Sequence, residues 1–348
     1  MHLLLRRRES WGRRRSSATR VLTTSYGPVR VLSENVGDEG RPPAWAVLAE
    51  RARAYAESAR APATLRAYAA DWRAFTAWCA AHDVAALPAT PHTITLFLAD
   101  LAGRPSTLRR KLAAIAVMHG AAGHDSPTGH GMVRATFAGI ARERGVAPRQ
   151  KSALLVDELR IALTTCGNRR IDVRDRALVL IGFAGALRRS ELVGLDVDDV
   201  RFEAEGLVLR LRRSKTNQEG ELEEVAVLFG SDPQSCPVRA LQTWLTMSAN
   251  IDGPLFRAVD RAGRIGHGRL TARIVGERLK KIVERRGLDP RTYAAHSLRS
   301  GFATSAARAN KSEAAIMRQG RWKSIPVARR YIRAGSRWQD HAAAGIGL

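Results

Sequence analysis

The spacing of apolar residues changes once along this chain, and the change limits the folds open to it. Over most segments apolar side chains recur at alternating steps of three and four, as they do over 65–79, which is typical of amphipathic helices. Over 207–211 and 225–227 the step is two, and the polar stretch 214–220 lies between them. That pattern predicts a strand, a turn and a second strand. We therefore expect a mainly α fold with a small antiparallel β-sheet.

Breaks in the pattern divide the 348 residues into four segments, and the length allows two domains. Residues 1–43 form a basic, arginine-rich arm with few apolar side chains, which we expect to be disordered. Residues 44–147 carry helical patterns and predict a small helical bundle. Residues 148–152 hold proline and charge without periodicity and are interpreted as a linker. Residues 153–348 form a second domain, which contains the predicted sheet and ends in a small, apolar C-terminal tail.

The charge of the chain points to a polyanionic partner. Its 57 lysine and arginine residues outnumber 33 aspartate and glutamate residues, and the formal net charge is +24. Nucleic acid is the default partner for such an excess, and a membrane surface is the alternative. A membrane surface calls for a basic amphipathic helix with a large apolar face, and no such helix stands apart from the core patterns. The nearly apolar run 177–187 is too short to span a bilayer.

Cysteine usage favours a reducing compartment. Cys79, Cys166 and Cys236 are odd in number and scattered along the chain. They fit neither a disulfide framework nor a zinc site, so we expect a cytoplasmic protein.

Several residues of 153–348 could together handle a phosphodiester. His296 and Arg299 stand three residues apart, which places them on one face of a helix. The chain shows no clustered carboxylates for a metal, no glycine-rich phosphate loop and no Ser/His/Asp order. We therefore expect chemistry without a metal or cofactor, built on cations and a phenol. The set consists of Arg188, Glu191, Lys215, His296, Arg299, Trp322 and Tyr331.

Four of these residues match the needs of a phosphate under attack. Arg188 and Arg299 can clamp the non-bridging oxygens through charge-assisted hydrogen bonds. His296 and the indole N–H of Trp322 add donors, which completes a preorganised cradle for the transition state.

The other needs are a nucleophile and a proton for the leaving group. Tyr331 is the predicted nucleophile, and because a phenol has an unperturbed pKa of about 10, it needs a base or a cationic pocket to lose its proton. Lys215, at the tip of the predicted hairpin, can protonate the leaving 5′-oxygen as a general acid. Tyr293 precedes the histidine and is interpreted as a packing residue.

Five short motifs occur in a fixed order along the second domain. They are Gly185-Ala-Leu-Arg-Arg-Ser-Glu-Leu192, the hairpin lysine Lys215, His296-Ser-Leu-Arg299, Gly320-Arg-Trp322 and Tyr331-Ile-Arg333. In this order they resemble the tyrosine recombinases, the phage-integrase family, and the resemblance covers residues 44 to 348. It implies a two-domain, C-shaped clamp around duplex DNA. One domain would be a helical SAM-like core-binding domain and the other a tyrosine recombinase catalytic domain.

The resemblance also implies an activity. A member of this family is a site-specific DNA recombinase, or integrase, that cleaves and rejoins strands through a 3′-phosphotyrosyl intermediate. It would work as a homotetramer on two DNA duplexes, with an accessory DNA-bending protein as a further partner and with no metal or nucleotide cofactor. We expect a cytoplasmic bacterial protein that associates with the nucleoid when bound to DNA.

Carried over residue by residue, the resemblance assigns the same cations. Arg188 and Arg299 resemble the family's two phosphate-binding arginines, and Lys215 resembles its hairpin lysine. Glu191 resembles the acidic residue that braces the first of these arginines.

The remaining positions include two departures from the family. His296 resembles the histidine of the second motif, and Tyr331 resembles the nucleophile. Trp322 stands where many members carry histidine; it can donate a hydrogen bond but cannot transfer a proton. Ser300 likewise follows Arg299 where many members carry histidine.

Two alternatives to recombination remain open from the residues alone. A type IB topoisomerase would share the pocket chemistry, and a DNA-binding protein on the same scaffold could have lost catalysis.

In the helical domain, three basic residues near the start of the third predicted helix are candidate DNA-binding residues, and a solvated basic face is the alternative. They are Arg109, Arg110 and Lys111.

Overall fold

The structure is a computed structural model, and the chain divides into two compact units, Met1–Pro148 and Arg149–Leu348. No helix among the described residues is long and apolar enough to cross a membrane. The linker predicted at 148–152 stays a prediction, since 146–150 fall outside the described residues. The described residues are 21–24, 27–30, 44–58, 60–101, 103–145, 151–212, 223–339, 341 and 343–344.

The first unit is built from helices and one short strand pair. The strands pair antiparallel with Val21 opposite Arg30, within the arm for which the sequence predicts no regular structure. Three of its helices begin at a proline, which suits the first helical position because its missing N–H has no partner to lose there. The elements are β1 (Val21–Thr24), β2 (Gly27–Arg30), α1 (Ala44–Ser58), α2 (Pro62–Ala81), α3 (Pro91–Leu101), α4 (Pro105–Ala121) and α5 (Gly131–Arg144).

Aromatic side chains fill the core of the first unit. The rings of Phe75 on α2 and Phe97 on α3 meet edge to face with centroids 4.9 Å apart, and both are fully buried. His119 is also fully buried, and its Nε2 accepts a hydrogen bond from the backbone N–H of Ala89 at 2.9 Å. The histidine therefore connects α4 to the segment before α3 and is a structural residue.

The second unit combines helices with two small sheets. Its described elements are α6 (Val156–Leu163), α7 (Arg170–Ala184), α8 (Arg189–Gly194), β3 (Val200–Phe202), β4 (Gly206–Leu211), β5 (Glu223–Leu228), α9 (Pro237–Ser248), β6 (Arg257–Val259), β7 (Ile265–Arg269), α10 (Ala272–Glu284), α11 (His296–Arg308), α12 (Glu313–Gly320) and α13 (Ile325–Gly335).

The prediction of a mainly α fold with a small antiparallel sheet is confirmed. Strands β4 and β5 pair antiparallel, with Leu209 opposite Val225 and Leu207 opposite Val227, so the alternating residues line one buried face. The sequence does not predict β3 or the β6–β7 pair. Strand β3 has three largely exposed residues, and β7 contains two glycines, so neither shows an alternating apolar pattern.

Helix α7 lies at the centre of the second unit, with nearly all of its residues buried from Asp172 to Phe183. Its buried charges are neutralised by ion pairs that reach another helix. Asp175 pairs with the neighbouring Arg174 at 2.6 Å and with Arg278 of α10 at 2.5 Å. Burying these charges unpaired would be costly, so the pairs fix how α7 packs on α10.

A glycine permits the close approach that places α11. A Cβ at Gly301 would lie 1.8 Å from the carbonyl oxygen of Leu154, which precedes α6. At the same contact, the backbone N–H of Leu154 donates to the carbonyl of Ser297 at 3.1 Å. Helix α11 can therefore lie directly on the backbone of the segment before α6.

This contact predicts a stability effect. Gly301→Ala should lower the free energy of unfolding by about 1–3 kcal/mol, because the added methyl group must displace backbone. Gly194→Ala is the matched control, since a Cβ there meets no atom within 4 Å. The change is measured as a shift of the denaturant midpoint of unfolding, provided that the m-values of the wild type and the variants are equal. Equal midpoints for the wild type and both variants would contradict the account.

Candidate active site

Arg188 and Glu191 form the first part of the site, at the start of α8. Arg188 occupies the N-cap position, and its backbone N–H donates to the Glu191 carboxylate at 2.8 Å. The Arg188 guanidinium pairs with the other oxygen of the same carboxylate at 2.5 Å. Glu191 therefore caps the helix and orients the arginine at once. Its carboxylate is buried, whereas the Arg188 side chain keeps 20% of its surface exposed.

Arg299, in the first turn of α11, supplies a second guanidinium. It is 3% exposed, and its Nη1 donates to the carbonyl of Ala186 at 2.5 Å. Burial, followed by the charges of Arg188 and Arg321, lowers the pKa of Arg299 to about 9, so the group keeps its charge at neutral pH. Two like charges are thus held in one pocket, where an anion would relieve their repulsion.

Arg321, which lies in the Gly320-Arg-Trp322 motif and has no predicted role, is a third arginine of the pocket. Its Nη2 pairs with the Glu191 carboxylate at 2.7 Å, and its side chain is 9% exposed. Burial raises the pKa of Glu191, but the charges and hydrogen bonds of Arg321 and Arg188 outweigh burial and hold the pKa below its usual value. One ionised carboxylate therefore serves two guanidiniums.

Only the position of Arg321 between Gly320 and Trp322 could have signalled its role. Its backbone is in the left-handed region, with φ of 54°, at the end of α12. In that conformation the side chain contacts residues that are distant in the sequence, and local sequence patterns do not predict such contacts.

Trp322 packs against the guanidinium of Arg299. The centre of the guanidinium lies 4.2 Å from the centroid of the indole, a cation–π contact. Gly320 makes room for the ring, since a Cβ there would lie 1.7 Å from an indole carbon. The structure thus gives Trp322 a packing role, and donation from its N–H to a phosphate stays a prediction.

His296 and Tyr331 meet at the other side of the pocket. His296 opens α11, Tyr331 lies on α13, and His296 Nε2 is 2.7 Å from Tyr331 Oη. Burial, followed by the charges of Arg299 and Arg188, holds the pKa of His296 below its ordinary value. The imidazole is therefore neutral at neutral pH and can accept a proton. Ser300, the second departure from the family pattern, donates to the His296 carbonyl at 3.1 Å.

Gln319 connects α12 to α7 and to strand β5, and the sequence patterns did not predict this role either. Its side-chain amide donates to the carbonyl of Ala184 at the end of α7, at 3.0 Å, and to that of Ala226 on β5, at 2.8 Å. A single glutamine in a helical pattern carries no sequence signal for such a role.

The structure brings together six of the seven predicted pocket residues. Lys215 belongs to the segment between β4 and β5, and 213–222 lie outside the described residues. The described part of the chain contains no group of three or more His, Cys, Asp or Glu side chains arranged to hold a metal ion. The six residues are Arg188, Glu191, His296, Arg299, Trp322 and Tyr331.

The predicted DNA-binding residues lie on α4 in the other unit. Arg110 pairs with Asp71 of α2 at 2.6 Å, and Lys111 lies 3.4 Å from the same carboxylate. Arg109 is exposed and covers the ring of Phe137 at 5.3 Å. Arg110 and Lys111 thus help to join two helices, and contact with DNA stays a prediction for all three.

The phage integrase family model matches residues 152–337, more than half of the chain. The chain belongs to the phage integrase family. An integrase/recombinase from Selenomonas ruminantium, described as a XerD homolog, is 38% identical over 301 residues, which are 85% of this chain and 88% of the relative. Recombinase Cre of Escherichia phage P1 is 25% identical over 285 residues, or 75% of this chain and 81% of that protein.

A solved structure shows the same fold. A lambda integrase dimer bound to a COC′ core site has a TM-score of 0.52 and 17% identity, and the match covers 85% of this chain and 98% of the integrase chain. As a phage integrase family member, the chain is a site-specific recombinase that breaks and rejoins DNA strands.

The lowered pKa of His296 predicts how stability depends on pH. An unfolded histidine titrates near about 6.5, so below that pH the unfolded state binds more protons than the folded state, in which His296 resists protonation. The free energy of unfolding should therefore fall as pH decreases from about 7 to about 5.5, and His296→Gln should remove that part of the fall.

Denaturant titrations across this range measure the difference between the wild type and the variant. His267→Gln, at an exposed site in the same unit, is the control and should follow the wild type. Parallel curves for the wild type and His296→Gln would contradict the assignment.

Proposed function

We propose that Tyr331 is the nucleophile of strand cleavage and forms the 3′-phosphotyrosyl intermediate. The hydrogen bond of 2.7 Å between Tyr331 Oη and His296 Nε2 carries this proposal. A neutral imidazole with its proton on Nδ1 accepts the phenol proton at Nε2 as the phenol oxygen attacks phosphorus. The P–O5′ bond breaks, and a 3′-phosphotyrosyl bond takes its place.

The charge of the pocket supports binding of the scissile phosphate by Arg188 and Arg299. Among the described residues, the three guanidiniums of Arg188, Arg299 and Arg321 face two carboxylates, that of Glu191 and, 3.6 Å from Arg321 Nε, that of Glu223. The pocket therefore has a positive excess before any ligand arrives. A phosphodiester would offset it, and the greater charge on its oxygens in the transition state would strengthen both arginine contacts. We further propose that the indole N–H of Trp322 donates to the same phosphate.

We propose Lys215 as the general acid. The leaving 5′-oxygen takes a proton from the ammonium and departs as a hydroxyl group. In the rejoining step a 5′-hydroxyl returns a proton to Lys215 and attacks phosphorus, and the released Tyr331 oxygen takes its proton back from His296. Each cycle therefore conserves both protons and the number of phosphodiester bonds. Support comes from the paired strands β4 and β5, which flank the segment that carries Lys215.

Duplex DNA is the proposed substrate of both domains. The net charge of +24 supports it, as does the lambda integrase dimer bound to a core site. In the helical domain, residues 44–147, the exposed Arg109 is the best placed of the three basic residues to reach a phosphate, since Arg110 and Lys111 already pair with Asp71.

The proposed assembly is a homotetramer on two duplexes, because exchange between duplexes requires four cleavages and four nucleophiles. An accessory DNA-bending protein would help to bring the recombination sites together, and the arm of residues 1–43 would add non-specific affinity for DNA.

The similarity to a relative described as an integrase/recombinase favours recombination over the activity of a type IB topoisomerase. We also propose that the protein acts in the bacterial cytoplasm and associates with the nucleoid when bound to DNA.

Substitution of Tyr331 tests the nucleophile. The substrate is a recombination site, found by selecting bound genomic fragments, with sulfur replacing the 5′-bridging oxygen at the scissile phosphate. The released thiol rejoins poorly, so the wild type should accumulate a covalent adduct that resists denaturation. Tyr331→Phe should bind the DNA and form no adduct, because it lacks the attacking oxygen.

Tyr293→Phe is the matched control, because Tyr293 is buried in the same unit and should keep adduct formation intact. An adduct formed by Tyr331→Phe at the wild-type level would exclude Tyr331 as the nucleophile. Absence of an adduct in the wild type, with binding intact, would favour a protein that binds DNA without cleaving it.

A further inference from the structure

Arg321 holds a backbone conformation that disfavours any side chain. Its φ of 54° lies in the left-handed region, which costs a residue with a Cβ about 1–2 kcal/mol relative to glycine. An outlier of this kind at a functional site points to a contact that offsets the strain. The contacts of the Arg321 guanidinium are therefore informative.

These contacts all go to protein groups. Nη2 pairs with Glu191 at 2.7 Å, while Nη1 donates to the carbonyls of Gly185 at 3.3 Å and Gln319 at 3.0 Å. Nε lies 3.6 Å from a carboxylate oxygen of Glu223 on β5. Both terminal nitrogens of the guanidinium thus bond groups of the protein, which does not suit a residue that binds the scissile phosphate.

Glu191 connects Arg321 to Arg188. One carboxylate oxygen bonds the Arg188 guanidinium, and the other receives both Arg321 Nη2 and the Arg188 backbone N–H. If Arg321 were lost, this buried carboxylate would keep only Arg188 as its ionic partner and could turn toward it. The Arg188 guanidinium would then leave the direction that the proposed phosphate contact requires.

We propose that Arg321 is a positioning residue for strand cleavage, acting through Glu191 to hold Arg188 in its reactive orientation. The inference rests on the proposed function, in which Arg188 binds the scissile phosphate. It separates the three arginines of the pocket by role. Arg188 and Arg299 contact the substrate, and Arg321 holds the carboxylate that aligns one of them.

Arg321→Gly is the decisive variant, because glycine removes the guanidinium and also relieves the backbone strain. Two matched controls separate these effects. Asn310→Gly makes the same backbone change at an exposed left-handed residue, with φ of 57°, and Arg318→Ala removes the same charge from an exposed position of α12.

The measurement is single-turnover adduct formation at saturating DNA, which gives a rate constant and a final amplitude. Arg321→Gly should lower the rate constant roughly 10- to 100-fold and leave the amplitude and the DNA affinity unchanged, as expected for a misaligned group. Arg321→Lys should recover part of the rate by restoring charge next to Glu191. Both controls should match the wild type.

Two comparisons test the route of the effect. In an Arg188→Lys background, the further loss on Arg321→Gly should nearly vanish, because the two residues act as a unit. The loss should also be equal for oxygen and sulfur leaving groups, since sulfur needs no general acid. A loss confined to the oxygen substrate would assign Arg321 to support of the proposed general acid Lys215 and overturn the proposal.

A purely structural role gives another outcome. It would lower the amplitude or the melting temperature and leave the rate constant of the folded fraction unchanged, and that result would also overturn the proposal. If the wild type forms no adduct, both the proposed function and this inference are contradicted. A wild-type rate in Arg321→Gly with Tyr331→Phe inactive would remove the inference alone.

Discussion

The pocket depends on one buried carboxylate that holds two guanidiniums. Glu191 pairs with Arg188 on its own helix at 2.5 Å and with Arg321, 130 residues further along the chain, at 2.7 Å. Desolvating a carboxylate is costly, and only close, hydrogen-bonded partners offset that cost. The carboxylate therefore fixes α8 against the end of α12. Arg299 joins the same assembly through the carbonyl of Ala186, two residues before Arg188.

The proposed nucleophile, Tyr331, is positioned by a separate set of contacts. Small side chains of α11 and α13 form an apolar cluster with Trp322 and Tyr331. A Cβ at Gly335 would lie 2.3 Å from the carbonyl of Thr304, so this glycine lets the two helices approach closely. The approach brings Tyr331 to His296, the first residue of α11. Helix α11 thus serves both halves of the pocket, because Arg299 lies one turn after His296.

Local patterns predicted what depends on local contacts. The spacing of His296 and Arg299 placed both on one helix, and the alternation around residues 207–227 predicted the β4–β5 pair, because periodicity reports the burial of one face. Long-range contacts carried no such signal. Arg321 depends on a left-handed residue and a distant carboxylate. Arg110, a candidate DNA-binding residue, pairs with an aspartate 39 residues earlier. The catalytic and DNA-binding roles assigned to the site residues all remain predictions.

Glu191→Gln tests the central claim most directly, because it keeps the shape of the side chain and removes the charge that holds both arginines. The measurement is the single-turnover rate of adduct formation at saturating DNA, with Glu277→Gln in an exposed ion pair of α10 as the control. We predict a rate at least about 10²-fold below wild type for Glu191→Gln, unchanged DNA affinity and a normal control. A rate within about two-fold of wild type would contradict the claim that this carboxylate organises the pocket.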